Sequence, residues 1–228
     1  MEEGAIENPY EAAFMPDGSF AFVTNIVSRT VSTIDVTTSA VVSTLGVGFS
    51  PRELVVRPDG RRIYVANVSS NSVSGATPGA RQPSWSIPVG SAPINLRMAP
   101  GGQHMYTVNR DSDDVSVIDV NTASVVATVP VGDLPFSLAF TPDGSFAYVS
   151  NRGGTFDVSV IETASNTVTA TIDVCVSPNT VEITPDGRFA YALCDLDAAT
   201  LVIETATNVV VDTVRVGGRP WGMAITPE

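Results

Sequence analysis

LPFSLAFTPDGSFAYVSN, residues Leu134–Asn151, is the stretch that decides the fold. At its centre stand Pro142, Asp143 and Gly144. Proline presets φ, aspartate can bond its own backbone, and glycine tolerates φ > 0, so the triplet marks a turn. Before it, Leu138 and Phe140 alternate with Ser137, Ala139 and Thr141; after it, Phe146, Tyr148 and Ser150 alternate with Ala147, Val149 and Asn151. A period of two with aromatic and β-branched residues reads as two strands, and the stretch is a hairpin.

The turn returns as Pro16-Asp17-Gly18, Pro58-Asp59-Gly60, Pro100-Gly101-Gly102 and Pro185-Asp186-Gly187, with a half-copy at Pro227-Glu228. The prolines stand at 16, 58, 100, 142, 185 and 227, a step of about 42 residues. Four short strands per unit at that period describe a β-propeller blade, and no run with helical periodicity supports a solenoid. The sequence therefore predicts an all-β propeller domain over 1–228. Its antiparallel four-stranded blades fall near 8–48, 49–90, 91–132, 133–175 and 176–217. Residues 218–228 form the first strand of a sixth, and residues 1–7 read as a frayed leader. In the second unit Gly75–Gly79, with Pro78, interrupts the outer half, which predicts a loosened outer edge.

Composition narrows the function. The 228 residues are 43% hydrophobic and 16% charged, which suits one globular domain with a sizeable core. No apolar run reaches the length of a membrane span, and the opening MEEGAIENPY has neither the basic nor the apolar region of a signal peptide. The net charge is −12 and every basic residue is arginine, so nucleic acid is not an expected partner. The sole histidine, His104, sits beside the Pro100 turn, away from the loops that follow the second strands. That excludes a Ser-His-Asp or Cys-His centre among those loops, and a multi-histidine metal or haem site.

Phe22-Val23-Thr24-Asn25, Tyr64-Val65-Ala66-Asn67, Tyr106-Thr107-Val108-Asn109 and Tyr148-Val149-Ser150-Asn151 resemble the repeat of the YVTN-family β-propellers. Val115–Asp119 and Val158–Glu162 resemble its third strand, and the closing Val-Gly resembles its fourth. The resemblance implies a surface-layer or secreted binding protein, or a propeller resembling lactonases. An extracellular or cell-surface location is implied in the same way. The fifth unit departs, with Tyr191-Ala192-Leu193-Cys194 in place of the motif. The repeating asparagine is expected to bond backbone in the turn that follows it.

In the arrangement that the resemblance implies, the strand before each turn lines a central channel. Two residues past each blade-opening proline come Glu11, Glu53, Asn95, Ser137, Thr180 and Gly222. Glu11, Glu53 and Asn95 would then converge near the channel mouth, with Arg97 or Arg52 as an electrophilic helper. Such carboxylates could do acid–base work in a lactonase-like hydrolase, lyase or isomerase, or hold Ca²⁺; otherwise they are polar lining. No cofactor is expected beyond that possible Ca²⁺. The loops at the same end carry Arg29; Arg110, Asp111, Asp113 and Asp114; Arg152 and Asp157; and Asp195 and Asp197, with Trp221 beyond them. Loops on a rigid scaffold commonly carry binding residues. The reading preferred on inventory is a non-catalytic propeller that holds a protein, glycan or small molecule on an acidic loop face. Five blades and a fraction leave either a five-bladed disc with Pro220–Thr226 as an extra strand or a piece of a larger ring; if the ring is incomplete, it is expected to oligomerise through its open edge.

Two cysteines remain. Cys175 replaces the glycine that ends the earlier units, and Cys194 replaces the repeating asparagine. A register with Thr184 opposite Arg188 sets Cys194 against Pro178. A bond then requires the linker to fold back so that the Cα atoms come within about 7 Å.

Overall fold

The computed structural model describes residues 8–226; the leader expected over 1–7 and the final Pro227-Glu228 lie outside the described residues. The first sheet is β1 (Pro9–Phe14), β2 (Phe20–Asn25), β3 (Thr30–Asp35) and β4 (Ala40–Gly46). The second is β5 (Pro51–Val56), β6 (Ile63–Asn67), β7 (Ser72–Ala76) and β8 (Trp85–Pro88). The third is β9 (Pro93–Met98), β10 (His104–Asn109), β11 (Asp114–Asp119) and β12 (Ser124–Pro130). The fourth is β13 (Pro135–Phe140), β14 (Phe146–Asn151), β15 (Asp157–Glu162) and β16 (Thr167–Asp173). The fifth is β17 (Pro178–Ile183), β18 (Phe189–Cys194), β19 (Ala199–Glu204) and β20 (Val209–Arg215). Every sheet runs in sequence order, strand beside next strand. These are the blades of a β-propeller, as the turn spacing requires.

Contacts gather the chain into two compact units. One holds the first two sheets with Pro93–Met98, Gly102–Thr107 and Ile118–Val125; the other holds Val108–Val117 and the chain from Val126 onward. In the first unit, Phe22 and Val31 pack on Leu54, Ile63 and Val65. Tyr64 and Val73 likewise pack on Leu96, Met105 and Ile118. In the second unit Tyr148, Val158 and Val160 meet Val181, Ala190 and Ile203. Cores lie between consecutive sheets, so alternate residues of one strand enter different clusters: Ile63 faces back and Tyr64 faces forward. That explains why β6 is buried throughout.

Three details depart from the sequence reading. The outer half of the second sheet is ordered: β7 is regular, Pro78 falls in the loop after it, and β8 is a four-residue edge. Trp85 of β8 lies flat over Gly75, where a Cβ would come within 2.3 Å of its ring. The segment Pro220–Thr226 forms no strand. Side chains hold the segment instead: Asn179 Nδ2 donates to the Pro220 carbonyl at 3.2 Å. The repeating asparagine bonds side chains rather than the backbone of its turn. Asn25 Nδ2 donates to Thr30 and Ser32, Asn67 to Ser72 and Ser74, Asn109 to Asp114 and Ser116, and Asn151 to Asp157 and Ser159. Each clamps the end of a second strand to the start of the third.

The clamp leaves no room beside it. A Cβ on Gly48 would lie 2.7 Å from Asn67 Cγ, and one on Gly132 would lie 2.7 Å from Asn151 Nδ2. The Gly that closes one blade therefore packs on the Asn of the next. In the fifth blade that contact is a covalent bond, Cys175 to Cys194, with Cα atoms 5.8 Å apart. The clamp's acceptors vanish in the same blade, where Ala199 and Leu201 stand at the third-strand positions held by Thr30 and Ser32 in the first. Pro178 does oppose Cys194, but by another route than the turn alone. Ile183 faces Ala190, and the register shifts by one residue before Pro178.

Candidate functional site

That register shift is a β-bulge, and it recurs at the opening of the first strand. Pro9 faces Asn25 while Ala12 faces Val23, so Tyr10 and Glu11 share one opposing residue, Thr24. Arg52 and Glu53 likewise oppose Ala66 alone. Phe136 is the extra residue in the fourth blade and Asn179 in the fifth. A bulge leaves one residue outside the ladder and re-aims side chains. The motif's hydroxyl serves this bulge: Thr24 Oγ1 accepts from Glu11 N at 3.1 Å and donates to the Arg52 carbonyl at 2.9 Å. Ser150 Oγ, at the same motif position, accepts from Ser137 N at 3.2 Å. One threonine thus ties the openings of β1 and β5 together, and with them Glu11 and Glu53.

Glu53 is the chemically distinctive group of the first unit. Its carboxylate forms an ion pair with Arg97, and its side chain is 13% exposed. Burial pushes its pKa above the usual carboxylate value; Arg97 opposes that shift, the negative charge of Glu11 adds to it, and Arg52 opposes it. Glu11, Arg52 and Arg97 each act on Glu53 as charges. Asn95 is buried, and its carbonyl is taken by Thr107. Among the described residues no three His, Cys, Asp or Glu side chains gather as a set for a metal ion. Arg97 supplies the counter-charge at Glu53.

The loop carboxylates are engaged within the protein. Asp113 Oδ1 accepts from Leu134 N at 2.8 Å and Asp197 Oδ2 from Val176 N at 2.8 Å. Asp114 and Asp157 accept from the clamping asparagines. Asp195 pairs with Arg152 at 2.9 Å and Asp111 with Arg110 at 2.6 Å, a bond that lowers the Asp111 pKa. Asp113 and Asp197 thus tie their loops to the next inter-blade linker, Asp114 and Asp157 complete the clamps, and Asp195 and Asp111 pair with arginines.

The arginines at the same strand ends lie on aromatic rings. In the first unit the Arg29 guanidinium stands 3.8 Å from the Phe49 ring centre, and that of Arg52 stands 4.7 Å from Tyr10. Phe49 is 50% exposed and Tyr10 44%. In the second unit Arg152 lies over Phe136 at 5.2 Å and Trp221 at 5.3 Å, its Nε donating to Ser177 Oγ. Phe136 and Trp221 meet edge to face at 6.1 Å. Tyr10 and Phe136, absent from the sequence-based candidates, each follow a blade-opening proline directly. Counting strict alternation to the second residue passes over them, because the bulge turns the first residue outward as well.

A family model described as "Lactonase, 7-bladed beta-propeller" matches residues 8–129. No curated protein matches the chain. Among solved structures it is similar to hydrazine synthase of Kuenenia stuttgartiensis, with a TM-score of 0.69 and 18% identity over 96% of this chain and 91% of that one. It is also similar to a functionally unknown protein from Desulfotomaculum acetoxidans DSM 771, with a TM-score of 0.78 and 16% identity over 96% of this chain and 76% of that one. At these identities the likeness is one of fold. The family's description counts seven blades, and the described residues of this chain form five. With more than half of its residues matched, the chain belongs to the lactonase, 7-bladed β-propeller family.

Proposed function

We propose that this is a binding propeller without catalytic activity, and that its ligand carries carboxylates. The observation behind this reading is the set of aromatic-backed arginines at the bulged strand ends: Arg29 on Phe49 and Arg52 on Tyr10. The Phe49 ring under the Arg29 guanidinium holds its plane and leaves the N–H edge facing out, the edge that fits a carboxylate. Half-exposed Tyr and Phe beside arginine are also the residue types enriched where proteins bind ligands. The acidic loop residues are engaged by linker N–H groups, asparagines and arginines of the protein itself, which directs the reading to the face's arginines and rings. The Cys175–Cys194 bond supports an oxidising, extracellular setting.

Calorimetric titration with an oligogalacturonate and with a poly-glutamate peptide tests the reading. At least one should bind, and the double variant Arg29→Ala, Arg52→Ala should weaken it by roughly ten-fold or more. Binding of neither, or binding untouched by the variant, defeats the proposal.

A second reading, hydrolysis of a lactone, is favoured by the family match and by Glu53, a carboxylate with a raised pKa beside Glu11. Against it stands the Arg97 ion pair, which occupies the carboxylate. Turnover of small lactones by the wild-type chain, abolished in Glu53→Gln, would reverse the choice.

A further inference from the structure

The opposite end of the second blade holds a feature that neither reading uses. Arg57 and Arg62 flank the Pro58-Asp59-Gly60 turn, and Arg57 N donates to the Arg62 carbonyl at 2.9 Å. Val56 pairs with Ile63, so the two arginines are the next pair of the ladder and share a face. Side chains alternate, and Arg62 lies on the face of Tyr64, which packs forward on Leu96, Met105 and Ile118. Like charges directly opposed on one face of a hairpin destabilise it unless something neutralises them. The nearby carboxylate, Asp59, is 3.5 Å from Arg57 Nε and also accepts from Arg61 N. The other blades place Met15 and Phe20, Ala99 and His104, Thr141 and Phe146, or Thr184 and Phe189 at the two positions. In the fourth and fifth blades the threonine hydroxyl simply accepts from the phenylalanine N–H.

Two donors on this face lack acceptors. Arg62 Nη1 is buried without a hydrogen-bond partner, and so is the hydroxyl of Tyr64, a residue with no exposed surface. The fourth blade shows what a tyrosine at this position ordinarily bonds. Tyr148 OH donates to Asn208 Oδ1 at 2.6 Å, and Asn208 holds the left-handed position of the turn between β19 and β20. The matching turn position ahead of Tyr64 is Ala123, also left-handed with φ 52° and packed against the same cluster. Alanine removes both the acceptor and the volume of an amide. The positive charges of Arg57 and Arg62 both bear on the Tyr64 phenol. Buried donors left unmatched cost about 1–3 kcal/mol each, so their coincidence with a missing acceptor and two facing cations has a single economical reading.

We propose that Arg57, Arg62 and Tyr64 form a binding site for a small oxyanion, seated where Ala123 leaves space. The anion accepts from Arg62 Nη1 and the Tyr64 hydroxyl and balances the charge of the facing guanidinium groups. Phosphate and the carboxylate of a small acid share this chemistry.

Thermal unfolding and calorimetric titration with inorganic phosphate and with acetate, at ionic strength held constant with sodium chloride, test the site. The wild-type midpoint should rise saturably with one of the two, and which one does so names the source. Arg62→Met should bind roughly ten-fold or more weakly. Ala123→Asn restores the amide acceptor at a left-handed position that asparagine tolerates. It should raise the midpoint without anion and abolish the anion's effect. The proposal is overturned if the wild-type chain responds to neither anion, or if Ala123→Asn responds as the wild type does. The second variant decides the matter even if Arg62→Met fails to fold.

Discussion

Thr24 shows how much one hydroxyl of the repeated motif carries. It accepts from Glu11 N in the bulge and donates to the Arg52 carbonyl of the next blade. Replacing it with valine keeps the shape and leaves both groups without a partner. Thr24→Val should cost about 1–3 kcal/mol, read as a lower thermal midpoint, while Thr24→Ser should restore most of it. Glu53 gives a second prediction at this scale. Its folded pKa lies above the ordinary glutamate value of 4.5, because of burial. The folded chain therefore holds this proton more tightly than the unfolded chain does. That contribution is fully present below pH 4.5 and is lost as pH rises through the raised value. In urea unfolding across mildly acidic pH, the wild-type chain should lose stability relative to Glu53→Gln as pH rises through this window. Equal slopes for the two proteins would refute the assignment.

Among the elements, the fifth blade offers the sharpest test. Cys175–Cys194 stands where Gly and Asn meet in the first and third linkers, and Ala199 and Leu201 replace the clamp's acceptors. Removing the bond with Cys175→Ser and Cys194→Ser should cost about 3 kcal/mol, as expected for a loop of this size. Restoring only the pair, with Cys175→Gly and Cys194→Asn, should recover none of it, because the buried amide has no acceptor. Adding Ala199→Thr and Leu201→Ser should return roughly 1–2 kcal/mol. Chemical denaturation of the three variants decides between this account and one in which the cysteines act alone. The blades were legible in sequence because Pro-Asp-Gly and strict alternation are local signals. The bulge was not: it is a count of one strand against another, as Ile183 opposite Ala190 but Pro178 opposite Cys194 makes plain. Glu53 could be named from its spacing, whereas its pairing with Arg97 depends on how two blades face each other. Tyr10 and Phe136 were missed because alternation assigns them the wrong face.

For the molecule as a whole, each sheet is made of four strands consecutive in the chain, and each unit packs consecutive sheets together. Stability in such repeats is carried by nearest neighbours. The disulfide is the one link among the described residues that does not depend on packing at all. It closes a covalent loop from 175 to 194 around the β17–β18 hairpin. If the chain is stretched from its two ends in a single-molecule experiment, the residues within that loop stay hidden from the force after every sheet has come apart. The fully extended wild-type chain should fall short of the reduced one by roughly 60 Å of contour length, at about 3.5 Å for each sequestered residue. A protease cut at the Pro185-Asp186-Gly187 turn should likewise leave two pieces that travel together until a reductant is added, whereas a cut at Pro142-Asp143-Gly144 should not.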